Sequence, residues 1–291
     1  MESSAIRDVS DTALWVAYHR AEETERRDAL FNDPYAKTLA GERGALIAKD
    51  MAKTAKFSRW NVAIRTYLID RWIRSQIADG IDTFLNLGSG LDTRPYRMGL
   101  PDHVQWIEAD LPGMIDYKEA ILQNERPTCR LQRCKVDLAK RDARRAFLAE
   151  VAAQSRNILV LTEGVIPYLT IDEVSSLGSE LRNHDSFRFW IAEYFSKRVY
   201  RYLDNPHRRK RMRNAPFRFF PDDWFGCFRE MGWEKHEIRY LSEESLRLGR
   251  PIPTLWFLKL LQPFLPETIR EANLHLSGYV LFEPLQSPIR E

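Results

Sequence analysis

The chain has 291 residues, 44% of them apolar, and its 44 basic and 41 acidic side chains leave a formal charge of +3. That length suits one large domain or one domain with a cover, and the charge is too balanced to point to nucleic acid by itself. Its three cysteines, Cys129, Cys134 and Cys227, match no zinc spacing or disulfide framework. There is also no signal-peptide core and no apolar run near the ~18 residues of a membrane span, so a cytoplasmic protein with reduced thiols and no membrane partner is expected.

From the N-terminus, Ala13, Leu14, Val16, Ala17, Tyr18 and Ala21 recur at helical spacing over 12–25. Asp33-Pro34 opens a short second helix, with the aspartate as cap and Gly41 as its stop. A longer helix spans 57–77 and ends at Gly80, with Trp60, Ile64, Tyr67, Leu68 and Trp72 on its buried face. Residues 1–80 are too few for a dependable core of their own, so they are expected to form a helical lid region over the domain that follows.

Over 81–291, strands at 83–87, 104–109, 131–136, 158–163 and 187–194 alternate with helical segments, clearest at 118–123 and 141–153. That rhythm predicts a parallel sheet with right-handed crossovers. Two further strands, 233–240 and 278–283, lack it. Insertions at 196–222 and 241–277 are too long for plain connections and read as covers or helical additions. The basic run His207-Arg208-Arg209-Lys210-Arg211-Met212-Arg213 reads as a solvated helix face, because no aromatic platform for nucleic acid accompanies it.

The most informative stretch is Thr83 to Arg94. An apolar strand runs into Gly88-Ser89-Gly90, where the missing Cβ atoms permit a sharp turn and close approach to a ligand, and Asp92 can cap the helix that follows. The next strand ends in Glu108-Ala109-Asp110. Asp110 stands 22 residues after Gly88, where an acid that binds ribose hydroxyls belongs, and Glu108 competes for that role. Thr93 occupies the place of the third glycine of a dinucleotide fingerprint, so a nucleoside without phosphates, such as S-adenosylmethionine, fits better than a dinucleotide.

The run Asn86-Leu87-Gly88-Ser89-Gly90-Leu91-Asp92-Thr93-Arg94-Pro95-Tyr96-Arg97 resembles the signature of the leucine carboxyl methyltransferase-like family. Glu108-Ala109-Asp110-Leu111-Pro112 with Lys118, Val136-Asp137-Leu138, and Thr162-Glu163-Gly164 through Tyr168-Leu169 match further family stretches in order. Arg20-Ala21-Glu22 and Asp28 through Ala36 are similar to its bacterial, polyketide-type branch, and the resemblance covers about 12–170. It implies an α/β class I methyltransferase: a Rossmann-like seven-stranded sheet with helices on both faces, closed by 233–240 and 278–283 as an antiparallel pair.

The resemblance further implies methyl transfer from S-adenosylmethionine. Gly88 and Gly90 would approach the methionine part, Asp110 the ribose, Asp137 and Leu138 the adenine, Glu163 the positive end and Arg65 the carboxylate. On residue type alone, Asp137 also suits a helix cap and Glu163 a salt bridge, and spacing alone makes Arg65 a solvated helix residue. Tyr168, Tyr194, Arg94, Arg97, Trp15 and His19 are candidates for the acceptor pocket. The histidines show no metal spacing, and none is evidently placed as a base. The resemblance therefore points to a small-molecule carboxylic acid as acceptor and a methyl ester as product. A hydroxyl O-methyltransferase, a non-catalytic nucleoside-binding protein and an RNA-modifying carboxyl methyltransferase are the alternatives. An oligomer is compatible with the sequence, which fixes no subunit number.

Overall fold

A computed structural model describes residues 6–203, 212–253 and 266–286. The chain begins with α1 (Val9–Thr24), α2 (Ala36–Asp50) and α3 (Ala52–Ala78). Then come β1 (Thr83–Leu87), the single turn α4 (Arg94–Arg97), β2 (Gln105–Asp110), α5 (Pro112–Leu122), β3 (Arg130–Lys135) and α6 (Arg141–Gln154). β4 (Ile158–Thr162), α7 (Ile171–Arg182) and β5 (Phe187–Phe195) complete the alternation, and β6 (Trp233–Tyr240) and β7 (Ser277–Pro284) close the sheet.

The strand order is β3-β2-β1-β4-β5-β7-β6. β1 to β5 pair in parallel, and β7 runs antiparallel to both β5 and β6. β1 and β4 are buried at every position, as strands covered on both faces must be. Alternation along β1 sends Phe84 to one core and Leu85 to the other. On the first face α3 lays Trp60, Ile64, Leu68 and Trp72 against Phe84, Trp106 and Leu159. On the second, α6, α7 and a helix at Trp224–Glu230 pack Leu148, Leu177 and Phe228 against Leu85, Val160 and Trp190.

Two local expectations change. The second helix starts at Ala36 with Tyr35 as its cap residue, and Asp33 does not cap it. Asp33 is buried and accepts instead from Arg20 Nε at 2.8 Å and the Thr93 hydroxyl at 2.7 Å, so a tertiary ion pair has displaced the local cap. Gly41 does not stop the helix: the backbone kinks there at φ 55° and ψ −167°, and the helix resumes to Asp50.

Residues 9–78 divide in role. α3 is a face helix of the sheet, longer than the periodicity predicted, whereas α1 lies across the loop after β1, where Arg20 donates to the Leu91 carbonyl. Residues 254–265 of the insertion at 241–277 and most of the basic run 207–213 lie outside the described residues. Met212, at the edge of that run, is buried beside Trp15 and Ile47. Among the described residues, no helix is long and apolar enough to cross a membrane.

Candidate active site

A cavity of about 470 Å³ opens at the carboxyl ends of β1, β2, β4 and β5. Ligands bind at that end of open α/β sheets, and the volume is that of a small-molecule site. One side is the loop after β1. Gly88 has φ 65°, and a Cβ there would come within 2.6 Å of Val165 Cγ2. Gly90 has φ 47°, and its Cβ would meet Ala13 of α1 at 3.2 Å. Both positions therefore need glycine for conformation, and Gly88 needs it for space as well. The loop is pinned to β2: Gly88 N–H donates to the Ala109 carbonyl at 2.8 Å and Gly90 N–H to Asp110 Oδ2 at 2.6 Å.

Asp110 and Glu108 have separate fates. Asp110 lines the cavity and also accepts from Leu111 N–H at 2.7 Å. Burial pushes its carboxyl above the usual range, against the pull of those two N–H groups. Glu108 is fully buried and spent on Lys118 Nζ at 2.7 Å and Arg133 Nε at 3.0 Å, so it has no route to a ligand. Lys118, part of the same sequence stretch, thus neutralises the interior.

Behind the loop lies a buried ionic network. Arg94 is 2% exposed and donates to Asp70 at 2.7 Å, Asp92 at 2.7 Å and Glu163 at 2.8 Å. Arg97 grips Asp70 with two bonds of 2.6 and 2.9 Å. Asp92 also accepts Arg94 N–H, so the expected capping contact exists, although Thr93 is the cap residue of α4. Burial would raise the Asp92 carboxyl, but Arg94, Lys118 and Arg97 hold it well below the usual range.

The floor is set by the ends of β4 and β5. Arg65 Nε stands 3.0 Å from Glu163 Oε1 as an ion pair, and its N–H has no hydrogen-bond acceptor. Glu193, 3% exposed, accepts from Val165 N–H at 3.0 Å through Oε1, and its Oε2 has no partner. Burial pushes Glu193 up to about 8, with Glu163 adding to the rise and Arg65 opposing it. The roof is α1, where His19 and Trp15 face the cavity with their rings 5.4 Å apart.

The cavity brings together Arg65, Gly88, Gly90, Asp110, Asp137, Leu138 and Glu163, with His19, Trp15, Tyr168, Arg94 and Arg97. Asp137 also accepts Ala139 N–H at 3.1 Å, the local turn its residue type suits. Tyr194 is a correction. It stacks on Phe225 at 5.3 Å and meets Trp224 edge-on at 5.2 Å, away from the cavity. Successive residues of β5 face opposite ways, so Glu193 and Phe195 line the cavity and Tyr194 cannot. Sequence reading missed Glu193 and Asp70. The carboxylate closing the apolar run Trp190-Ile191-Ala192 at the end of a strand was the available signal for the first, and nothing local marks the second.

The family model for leucine carboxyl methyltransferase matches residues 13–181. A Streptomyces coelicolor relative named "Putative S-adenosyl-L-methionine-dependent methyltransferase" is 28% identical over 259 residues, spanning 84% of this chain and 89% of that protein. A relative of the same description from Frankia alni is 29% identical over 260 residues, with 83% and 89% covered. A crystal structure from Streptomyces avermitilis superposes with a TM-score of 0.55 at 13% identity, over 94% of this chain and 97% of that one. One from Thermobifida fusca gives 0.55 at 14%, over 97% and 96%. At such identities the structural likeness speaks for the fold, which is that of class I methyltransferases. The sequence match runs from α1 into α7, more than half of the chain, and on that ground the chain belongs to the leucine carboxyl methyltransferase family.

Proposed function

We propose that this S-adenosylmethionine-dependent methyltransferase moves the methyl group to an oxygen of a small, largely apolar acceptor enclosed between α1, α3 and the segment around Phe217. The carrying observation is the cavity itself, which joins the glycine loop and Asp110 to a chamber walled by Trp15, Val16, Val62, Tyr168, Met212 and Phe217. The lining residues fit the cofactor. Each Asp110 oxygen keeps a free lone pair after accepting one N–H, enough for a ribose diol. Arg65 has an N–H without an acceptor, suited to a carboxylate, and Glu163 brings negative charge to the same floor. When bound, S-adenosylmethionine supplies a methyl group activated on a cationic sulfur. The protein's part is to hold, orient and exclude water.

Asp110→Ala should weaken S-adenosylhomocysteine binding at least about tenfold, since each hydrogen bond to a charged group is worth on the order of 1.5–3 kcal/mol. Calorimetry reads this directly. Unchanged affinity, or tight NAD binding with no response to S-adenosylhomocysteine, would refute the assignment.

Two acceptor oxygens make opposite demands. A carboxylate, which the family resemblance favours, is ionised at neutral pH and needs a cation rather than a base. A hydroxyl needs a base. One observation favours the hydroxyl: among the described lining residues, Arg20, Arg65, Arg94 and Arg97 each already face a carboxylate. Dilute alkali separates the two. A methyl ester made with labelled cofactor releases its label as methanol, whereas a methyl ether keeps it.

A further inference from the structure

The cavity roof contains a polar group that the cofactor does not account for. His19 is 1% exposed, sits on α1 and lines the chamber. Its Nδ1 lies 2.7 Å from Glu22 Oε2, one helical turn on. Glu22 is braced in turn by Arg59 of α3 at 3.3 Å. Burial would raise the Glu22 carboxyl, but the bond from His19 and the charge of Arg59 hold it below the usual range, so it stays an acceptor. Nε2 is buried and has no partner. In the tautomer that donates Nδ1–H to Glu22, the lone pair sits on the unpartnered Nε2.

A buried imidazole on a residue that lines the chamber, fixed by a carboxylate through one nitrogen and unpartnered at the other, has the layout of a general base and its orienting partner. Trp15, 5.4 Å away, and Tyr18, at 6.0 Å, hold the ring from the sides. A carboxylate acceptor would meet that lone pair unfavourably and would find Arg20, Arg94 and Arg97 engaged with carboxylates and Arg65 assigned to the cofactor.

We infer that His19, oriented by Glu22, is the base that takes the proton of a hydroxyl acceptor, and that the natural acceptor is a weakly acidic phenol or enol on an apolar skeleton. The inference rests on the oxygen-methylation reading above. In the step, the acceptor oxygen gains the methyl carbon and its proton passes to His19 Nε2. The electron pair of the broken bond stays on sulfur, and the proton leaves for solvent as product departs. His19 is the catalytic residue and Glu22 a positioning residue.

The test uses the full chain saturated with S-adenosylhomocysteine, and 4-nitrophenol, which absorbs in the visible as its phenolate. At a pH where the free dye is mostly protonated, the bound dye should show the phenolate band. His19→Gln, which puts an amide where Nε2 stood, should lower that band roughly tenfold or more, and Glu22→Gln should lower it less. His19→Asn and a melting curve for each variant guard against misfolding. Matched 4-nitrobenzoate should bind more weakly than the phenol. Absence of the band, a band unchanged in His19→Gln, or tight 4-nitrobenzoate binding that His19→Gln abolishes would overturn the inference. S-adenosylhomocysteine affinity, read by calorimetry on the same samples, reports the cofactor assignment separately and should not move.

Discussion

Replacing Arg94 with methionine should cost on the order of 3–5 kcal/mol of folding stability, the usual cost of removing one partner from a buried ionic group. Arg94 contacts three carboxylates that do not lose their charge with it. Asp70 keeps Arg97 and Glu163 keeps Arg65, so Asp92 is the group left without a contacting cation. For a chain of this size, ~2–4 °C of melting temperature per kcal/mol gives a fall on the order of 10 °C. Arg94→Lys should recover less than half of it, because one ammonium cannot span three acceptors set around a planar fork. The loss should also depend on pH. Asp92 is depressed in the folded parent, so its contribution is present above the ordinary carboxylate range and fades as pH falls. Parent and variant should therefore converge toward acid. Thermal unfolding followed by circular dichroism measures both effects, and a loss below about 1 kcal/mol at pH 7 would mean that the network is dispensable.

The network also explains what the sequence could and could not reveal. Strands with two covered faces announce themselves as apolar runs, so β1 and β4 were legible almost to the residue. The glycine corner was legible because Gly88 and Gly90 are fixed by backbone conformation, which is local. Arg94 lines the pocket as expected, but its place in an ion network was not legible, because its partner Asp70 lies 24 residues earlier on α3 and an ion pair across elements leaves no periodic trace. Asp33 looked like a helix cap because capping is the local use of that residue type, and Arg20 and Thr93 claimed it from other elements. Tyr194 was one residue from the correct position. A strand of period two punishes an error of one by turning the side chain to the opposite face. His19 was legible as a pocket candidate, whereas its pairing with Glu22, three residues on along the same helix, shows only in the fold.

Glu193→Gln should make the ligand-free protein more stable, by an amount that grows with pH. In the folded chain burial holds the Glu193 carboxyl up at about 8, whereas an unfolded glutamate ionises near 4.5. Between those values the folded state keeps a proton that the unfolded state has released. The folded state then binds more protons, and stability falls as pH rises through that window. The contribution is whole below the unfolded value and is lost by the time pH passes the folded one. Glutamine cannot ionise. Its carbonyl can still accept the Val165 N–H, and its amide can fill the place where Oε2 has no partner. Parent and variant should thus be nearly equal at pH 4.5 and separate steadily, reaching up to ~5 kcal/mol at pH 8 at ~1.4 kcal/mol per unit. Urea unfolding of both proteins across pH 4.5 to 9 gives the difference curve. A flat curve, or a parent that gains on the variant as pH rises, would show that Glu193 is ionised in the fold and that Arg65 outweighs its burial.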